Sequence, residues 1–185
     1  MGHMGKLVLV LFVCLSLTAC KSEQEQANDA ALKIRSGILE NAPHLTASVT
    51  ADYGDRVYDF TLSYDAAAGV LTVLEPEILA GITVQVTNGS TALKFDGVEL
   101  NTGPLTEDGL TPVSALPVIV TAWKQGYITE AYYEKLDDVQ TVVLATSLSD
   151  TVTHTTWFDA GTYQPVKSEI ASDGYAVIQC RYTVA

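Results

Sequence analysis

The stretch TTWFDAGTYQPVKSEIASDGYAVIQCRY, Thr155 to Tyr182, reads as three strand segments parted by two turn signals. Asp159-Ala160-Gly161 and Ser172-Asp173-Gly174 supply the breaks, because Asp, Ser and Gly favour the tight backbone conformations of turns. Pro165 stands at the start of the middle segment, where its missing N–H does least harm to a ladder of strand hydrogen bonds. Together with Gln140 to Ser147, these segments predict about four consecutive antiparallel strands: Gln140–Ser147, Thr153–Asp159, Pro165–Ala171 and Tyr175–Thr183.

The same two-residue period dominates the first half of the chain from Leu45 onward. Tyr58, Phe60, Leu62 and Tyr64 fall on one face of a strand, opposite Val57, Asp59, Thr61 and Ser63. Val70 to Leu74 returns after a turn at Asp65 to Gly69, and Pro76 interrupts it. Ile82, Val84 and Val86 then alternate with Thr83, Gln85 and Thr87. Asn88-Gly89 and Asp96-Gly97 are hairpin signals. This predicts about five short strands up to Leu100.

Two segments carry the helical period instead. Ala27, Ala31, Ile34 and Ile38, widened by Leu32 and Leu39, predict a helix from about Glu25 to Asn41, ended by Ala42-Pro43. Pro112 to Gln125 carries Leu116, Ile119, Val120 and Trp123 on one side, with Gly126 as a natural stop. Pro117 inside it predicts that the helix starts or breaks there. Ile128 to Lys135 fits either a helical turn or an edge strand. Helix, strands, helix, strands in segregated runs define an α+β domain. A twisted antiparallel sheet of this length curls. Helices over its concave side then leave either a solid core or an apolar pocket.

The N-terminus has a different character. Lys6 precedes an apolar or small-residue run from Leu7 to Ala19, and after Cys20 the chain turns to Lys21-Ser22-Glu23-Gln24-Glu25-Gln26. That is the layout of a secretory signal, and it is short of the ~20 residues a permanent membrane-spanning helix needs. Leu17-Thr18-Ala19-Cys20 resembles the bacterial lipobox, which implies cleavage before Cys20 and a diacylglyceryl group on its sulfur. The expected organisation is therefore a signal peptide over 1–19, a lipidated Cys20 with a polar tether over 20–28, and one domain over 29–185. Cys14 leaves with the signal. The expected location is the extracytoplasmic side of a cell membrane, reached through the lipid.

Charge excludes several functions. The whole chain carries a net charge of −12. Removing residues 1–19 takes Lys6 and no acidic residue, so the mature domain is more acidic still. Such a surface repels phosphate, which argues against nucleic-acid binding and against attachment to anionic lipid by a basic patch. Cys180 is the one mature cysteine besides Cys20, so no internal disulfide forms; it reads as a small buried apolar side chain.

Chemistry-bearing motifs are missing. The mature domain holds only His44 and His154, and no Gly-x-Ser-x-Gly elbow, Cys-x-x-Cys pair, His-Glu-x-x-His helix or calcium loop occurs. His154, between Thr153 and Thr155, reads as a surface or cross-strand residue. Asp137-Asp138 and Glu107-Asp108 read as solvated loop charge. No metal, no cofactor and no enzymatic activity is expected. The excess is aromatic, with nine tyrosines accompanying Trp123 and Trp157; such side chains suit the wet rim of an apolar cavity.

This layout resembles the LolA/LolB-type lipoprotein-localisation proteins. The likeness runs through YDFTLSYDAAAGVLTVLEPEILAGITVQV (Tyr58 to Val86), ALKFDGVELNTGPL (Ala92 to Leu105), PVIVTAWKQG (Pro117 to Gly126) and the Thr155–Tyr182 stretch. The resemblance implies an eleven-stranded, strongly curved, half-open barrel wrapped around helices, with an apolar cavity for acyl chains and no covalent chemistry. The expected lining is Tyr58, Phe60, Leu62, Tyr64, Val84, Val86, Leu93 and Phe95 from the sheet, with Leu116, Val120 and Trp123 from the covering helix. The family's early-strand arginine has Arg56 as its nearest counterpart here, at a strand start, and its role is not carried over. The expected function is a membrane-anchored lipoprotein binding a lipid or a lipoprotein acyl chain. The alternative is an anchored module that binds another envelope protein, as germination-type lipoproteins of this general shape do, with no lipid cargo.

Overall fold

The computed structural model describes residues 21–87, 90–103 and 108–183. Helix α1 (Glu23–Glu40) comes first, followed by β1 (His44–Asp52), β2 (Val57–Asp65), β3 (Val70–Glu75), β4 (Thr83–Thr87), β5 (Ser90–Phe95) and β6 (Val98–Gly103). Helix α2 (Pro112–Gln125) separates these from β7 (Ile128–Leu136), β8 (Val139–Ser147), β9 (Val152–Asp159), β10 (Pro165–Ser172) and β11 (Tyr175–Thr183). All eleven strands form one antiparallel sheet in the order β6-β5-β4-β3-β2-β1-β11-β10-β9-β8-β7, which β6 and β7 leave unclosed. The two helices pack together against this sheet, α1 along β7 and β8 and α2 over β1 and β2. The half-open, helix-filled α+β barrel expected from the sequence is the observed architecture.

Local chemistry explains the elements. Asp96-Gly97 and Asp173-Gly174 both have positive φ at each residue, and Phe95 pairs with Val98 and Ser172 with Tyr175 across them. These are two-residue hairpins whose twist matches the flanking strands. Asp137-Asp138 makes a third such hairpin, with φ of 47° and 69°, between Leu136 and Val139. The acidic pair read as loop charge is thus a turn, and Arg181 and Lys135 pair with Asp137 and Asp138 at 3.1 and 2.7 Å. The Asn88-Gly89 signal lies outside the described residues, although Thr87 pairs with Ser90 on either side of it. Gly69 is irreplaceable on steric grounds: at φ +63° an added Cβ would lie 2.5 Å from the carbonyl oxygen of Val86.

Three expectations need correction, and one left open between two alternatives is decided. There are six strands before α2, not about five, with His44–Asp52 a full strand ahead of Val57–Asp65. Ile128–Leu136 is an edge strand. Helix α2 runs unbroken through Pro117. Its first turn is fixed by Pro112 at N1 and by a capping box in which Thr111 and Ser114 satisfy each other's backbone N–H, and its apolar side is buried. That packing offsets the one backbone hydrogen bond that proline removes. Helix α1 begins at Glu23 within the stretch expected to be a tether, since Ser22 and Glu25 form a capping box and Ala27 is fully buried.

Candidate functional site

Strand register sorts the inner face of the sheet into rows. One row runs Leu45, Tyr64, Leu71, Val84, Leu93, Leu100 from β1 to β6. A second runs Leu144, Thr156, Ser168, Cys180, Val49, Phe60 from β8 through β11 and β1 to β2. The eight sheet residues expected to line a cavity therefore all belong to this inner face. Their surroundings differ. Leu62, Tyr64 and Val84 are buried, as are Leu116, Val120 and Trp123 of α2; Phe60, Val86 and Leu93 are half-buried. Tyr58 and Phe95 are 41% and 48% exposed. Val98 and Leu100 of β6, which the sequence reading left out, are 69% and 60% exposed on the same face, opposite Phe95 and Leu93.

The β7–β1 part of the inner face is sealed. Ala27, Ala30, Ala31 and Ile34 of α1 are buried there, the small alanines letting the helix backbone come close to the sheet. Arg35 ties the helices together, donating from Nε to Trp123 O at 3.1 Å and from Nη2 to Gly126 O at 2.6 Å, which satisfies carbonyls at the end of α2. Trp123 meets Phe158 and Tyr182 edge-on, with ring centroids 5.4 and 5.8 Å apart.

Beneath Trp123 lies an enclosed polar chain. Trp123 Nε1 donates to Thr156 Oγ1 at 2.9 Å, and Thr156 Oγ1 also contacts His154 Nε2 at 2.7 Å and Ser168 Oγ. His154 Nδ1 contacts Thr146 Oγ1 at 3.0 Å. One arrangement of protons satisfies every group: Ser168 and Trp123 donate to Thr156, Thr156 to Nε2, and Nδ1–H to Thr146. It requires a neutral imidazole, and burial alone holds the His154 pKa down to about 3. His154 is thus a cross-strand partner of Thr146, as expected, but it is buried and not at the surface. The Tyr182 hydroxyl is enclosed near Ser168 and Cys180 without a hydrogen bond of normal geometry. Burial pushes the Cys180 thiol up to about 12.

These groups join α2 to strands β8, β9 and β10. The His154 chain contains no carboxylate, and its members are closed off from solvent. His44 is exposed, with Nε2 3.5 Å from Ser63 Oγ. Among the described residues, no group of three or more His, Cys, Asp or Glu side chains could hold a metal ion, and no helix is long and apolar enough to cross a membrane. Arg56 is exposed beside the β1–β2 turn, where its carbonyl accepts from Tyr53 N at 2.8 Å. Two open grooves flank α1: one of about 410 Å³ lined by Glu23, Gln24, Tyr132 and Tyr133, and one of about 210 Å³ whose lining includes Asp29, Lys33 and Tyr163. Cys20 lies outside the described residues.

The fold is an open eleven-stranded antiparallel sheet curled around two helices. The chain is similar to an uncharacterized conserved protein from Thermus thermophilus at a TM-score of 0.52 and 10% identity, over 84% of this chain and 85% of the other. Looser likenesses are to the lipoprotein LppX of Mycobacterium tuberculosis (TM-score 0.47, 15% identity, 83% and 92% of the two chains) and to a putative outer membrane lipoprotein-sorting protein domain from Vibrio parahaemolyticus (TM-score 0.48, 11% identity, 83% and 75%). At such identities the likeness is one of fold. No protein-family model and no curated protein matches the chain.

Proposed function

We propose that the chain is a non-enzymatic lipoprotein of the bacterial envelope, held on the extracytoplasmic side of a membrane by a diacylglyceryl group on Cys20. Its inner sheet face binds a lipid or a lipoprotein acyl chain at the β2–β6 end. The observation that carries this reading is the row from Leu45 to Leu100. Side chains at its β1–β4 end are buried, whereas Leu100 is largely exposed, next to the exposed pair Phe95 and Val98. An apolar concave surface continuous with the core, and left open to solvent, is stabilised by any apolar ligand that covers it, at ~25 cal/mol per Å² removed from water. Tyr58, Phe60, Val86, Leu93 and Phe95 would touch the ligand, with Val98 and Leu100 added to them. Leu62, Tyr64, Val84, Leu116, Val120 and Trp123 would form the floor.

The test uses mature protein with Cys20 replaced by Ser, purified from cells without detergent. Native mass spectrometry is expected to show co-purifying lipid, and a fluorescent fatty acid is expected to bind and to be displaced by unlabelled acyl chains. Protein that carries no lipid and excludes the probe would overturn the reading. The competing reading, an anchored module for an envelope protein, draws on β6, which among the described residues has a strand partner on one side only. One crosslinked protein partner, lost on substituting β6 and recovered in place of lipid, would favour it.

A further inference from the structure

The polypeptide is fixed in space almost at the point of the proposed anchor. Gln26 Nε2 donates to the carbonyl of Lys21 at 2.9 Å, and the Lys21 ammonium pairs with Asp29. Ser22 and Glu25 close the first turn of α1 on each other at 3.2 and 3.0 Å. Gln24 Nε2 reaches across to the β7 edge and donates to Ala131 O at 2.9 Å. An eight-residue tether over Lys21–Asn28 would have allowed a reach of roughly 27 Å. Instead, the bond to Cys20 leaves from a residue that is already held, and consecutive Cα atoms are only ~3.8 Å apart.

We infer that, with Cys20 acylated, the first turn of α1 and the neighbouring β7 edge lie against the lipid headgroups, with Tyr132 and Tyr133 at the contact. The inference rests on the anchor reading for Cys20 and adds an orientation to it. The observations behind it are the contacts that hold Lys21 to Glu25 and the side chains that surround them. The groove of about 410 Å³ beside the first turn is lined by Glu23, Gln24, Tyr132 and Tyr133. Tyrosine, apolar in its ring and polar at its tip, suits the headgroup layer. Glu23, Glu25, Glu130 and Glu134 surround the same region and disfavour anionic lipid, so the surface fits zwitterionic headgroups. A domain held this way cannot swing out on a leash, and it meets its ligand at the bilayer that anchors it.

The experiment uses the full, lipidated protein in phosphatidylcholine vesicles, with an environment-sensitive NBD label on a cysteine replacing Tyr132 or, separately, Tyr175 at the β10–β11 turn. Cys180 is fully enclosed and Cys20 acylated, so neither competes for the label. Intact mass first establishes whether Cys20 carries lipid. If it does not, the anchor reading fails and the orientation with it. If it does, NBD at position 132 is expected to shift to the blue and to be quenched by headgroup-quencher lipids, while NBD at 175 does neither. A ten-residue Gly-Ser insertion after Cys20 is expected to abolish the shift at 132 with lipidation intact. Equal signals at the two positions, a signal only at 175, or a shift that survives the insertion would overturn the orientation while leaving the anchor standing.

Discussion

Trp123 Nε1 donates to Thr156 Oγ1 at 2.9 Å, and this contact joins the buried face of α2 to the middle of β9. The same hydroxyl is the junction of the enclosed chain from Ser168 to His154. Thr156→Val keeps the shape but strands the indole N–H and the Nε2 atom, and is expected to lower unfolding stability by about 2–3 kcal/mol. Trp123→Phe should cost less in the Thr156→Val background than in the parent, because the two share one interaction. Urea denaturation of the four proteins measures both effects; additive losses would mean that the bond is idle.

Acid should weaken the fold through His154. Its folded pKa is depressed to about 3 from the ordinary 6.5. Between those values the unfolded chain binds a proton that the folded chain does not. Stability is therefore full above about pH 6.5 and falls as the pH drops, by at most ~1.4 kcal/mol per pH unit from this group. His154→Gln should flatten the dependence of the urea midpoint between about pH 7 and about pH 5, a range above ordinary carboxylate titration. An unchanged slope would assign the acid sensitivity to other groups.

Cys180 should be silent toward thiol reagents until the protein unfolds. It is fully enclosed, pairs across the sheet with Val49 and Ser168, and has its pKa pushed up to about 12. The thiolate is the reactive form, so neutral pH leaves almost none. Labelling of the Cys20→Ser protein with a chromogenic disulfide should track the unfolding transition in urea. Rapid stoichiometric labelling in buffer would show that β11 opens in the folded state.

Leu71 and Leu100 occupy one row of the inner face, the first fully buried and the second exposed. Leu71→Ala is expected to cost ~2–5 kcal/mol. Leu100→Ser should change stability by no more than about 0.5 kcal/mol while weakening retention of the fluorescent fatty acid several-fold. Equal probe binding by Leu100→Ser and the parent would remove β6 from the ligand site.

The N-terminal cap offers a test away from the sheet. Ser22→Ala removes the acceptor for Glu25 N and should cost ~1 kcal/mol. Hydrogen exchange should be faster in the first turn of α1 and unchanged in β9 and β10.

Legibility in the sequence followed burial. Strands β1, β2 and β8–β11 have an inner face pressed against a helix or another apolar row, so their alternation is plain in residues such as Leu62 and Tyr64 or Ile178 and Cys180. The least legible strand was β7, whose sequence fits a helical turn as well as a strand; it is an edge, and ITEAYYEKL buries only Ala131. A strand that covers little has little reason to alternate. The inner-face residues could be read from parity, but parity does not say which of them a helix covers; Leu62 and Phe95 look alike in sequence and differ entirely in exposure. The polar chain under Trp123 was hidden because Thr, His, Thr and Ser become neighbours only through pairing of β8, β9 and β10.

The sheet's two edges are unlike. Along β7 lies α1, with Ala131 O already occupied by Gln24, whereas β6 has no strand beyond it among the described residues. An open filament needs two free complementary edges on every copy, one to receive and one to offer. With α1 against β7 and Gln24 on Ala131 O, the β7 edge is a poor acceptor for the β6 edge of another copy, which works against open-ended growth.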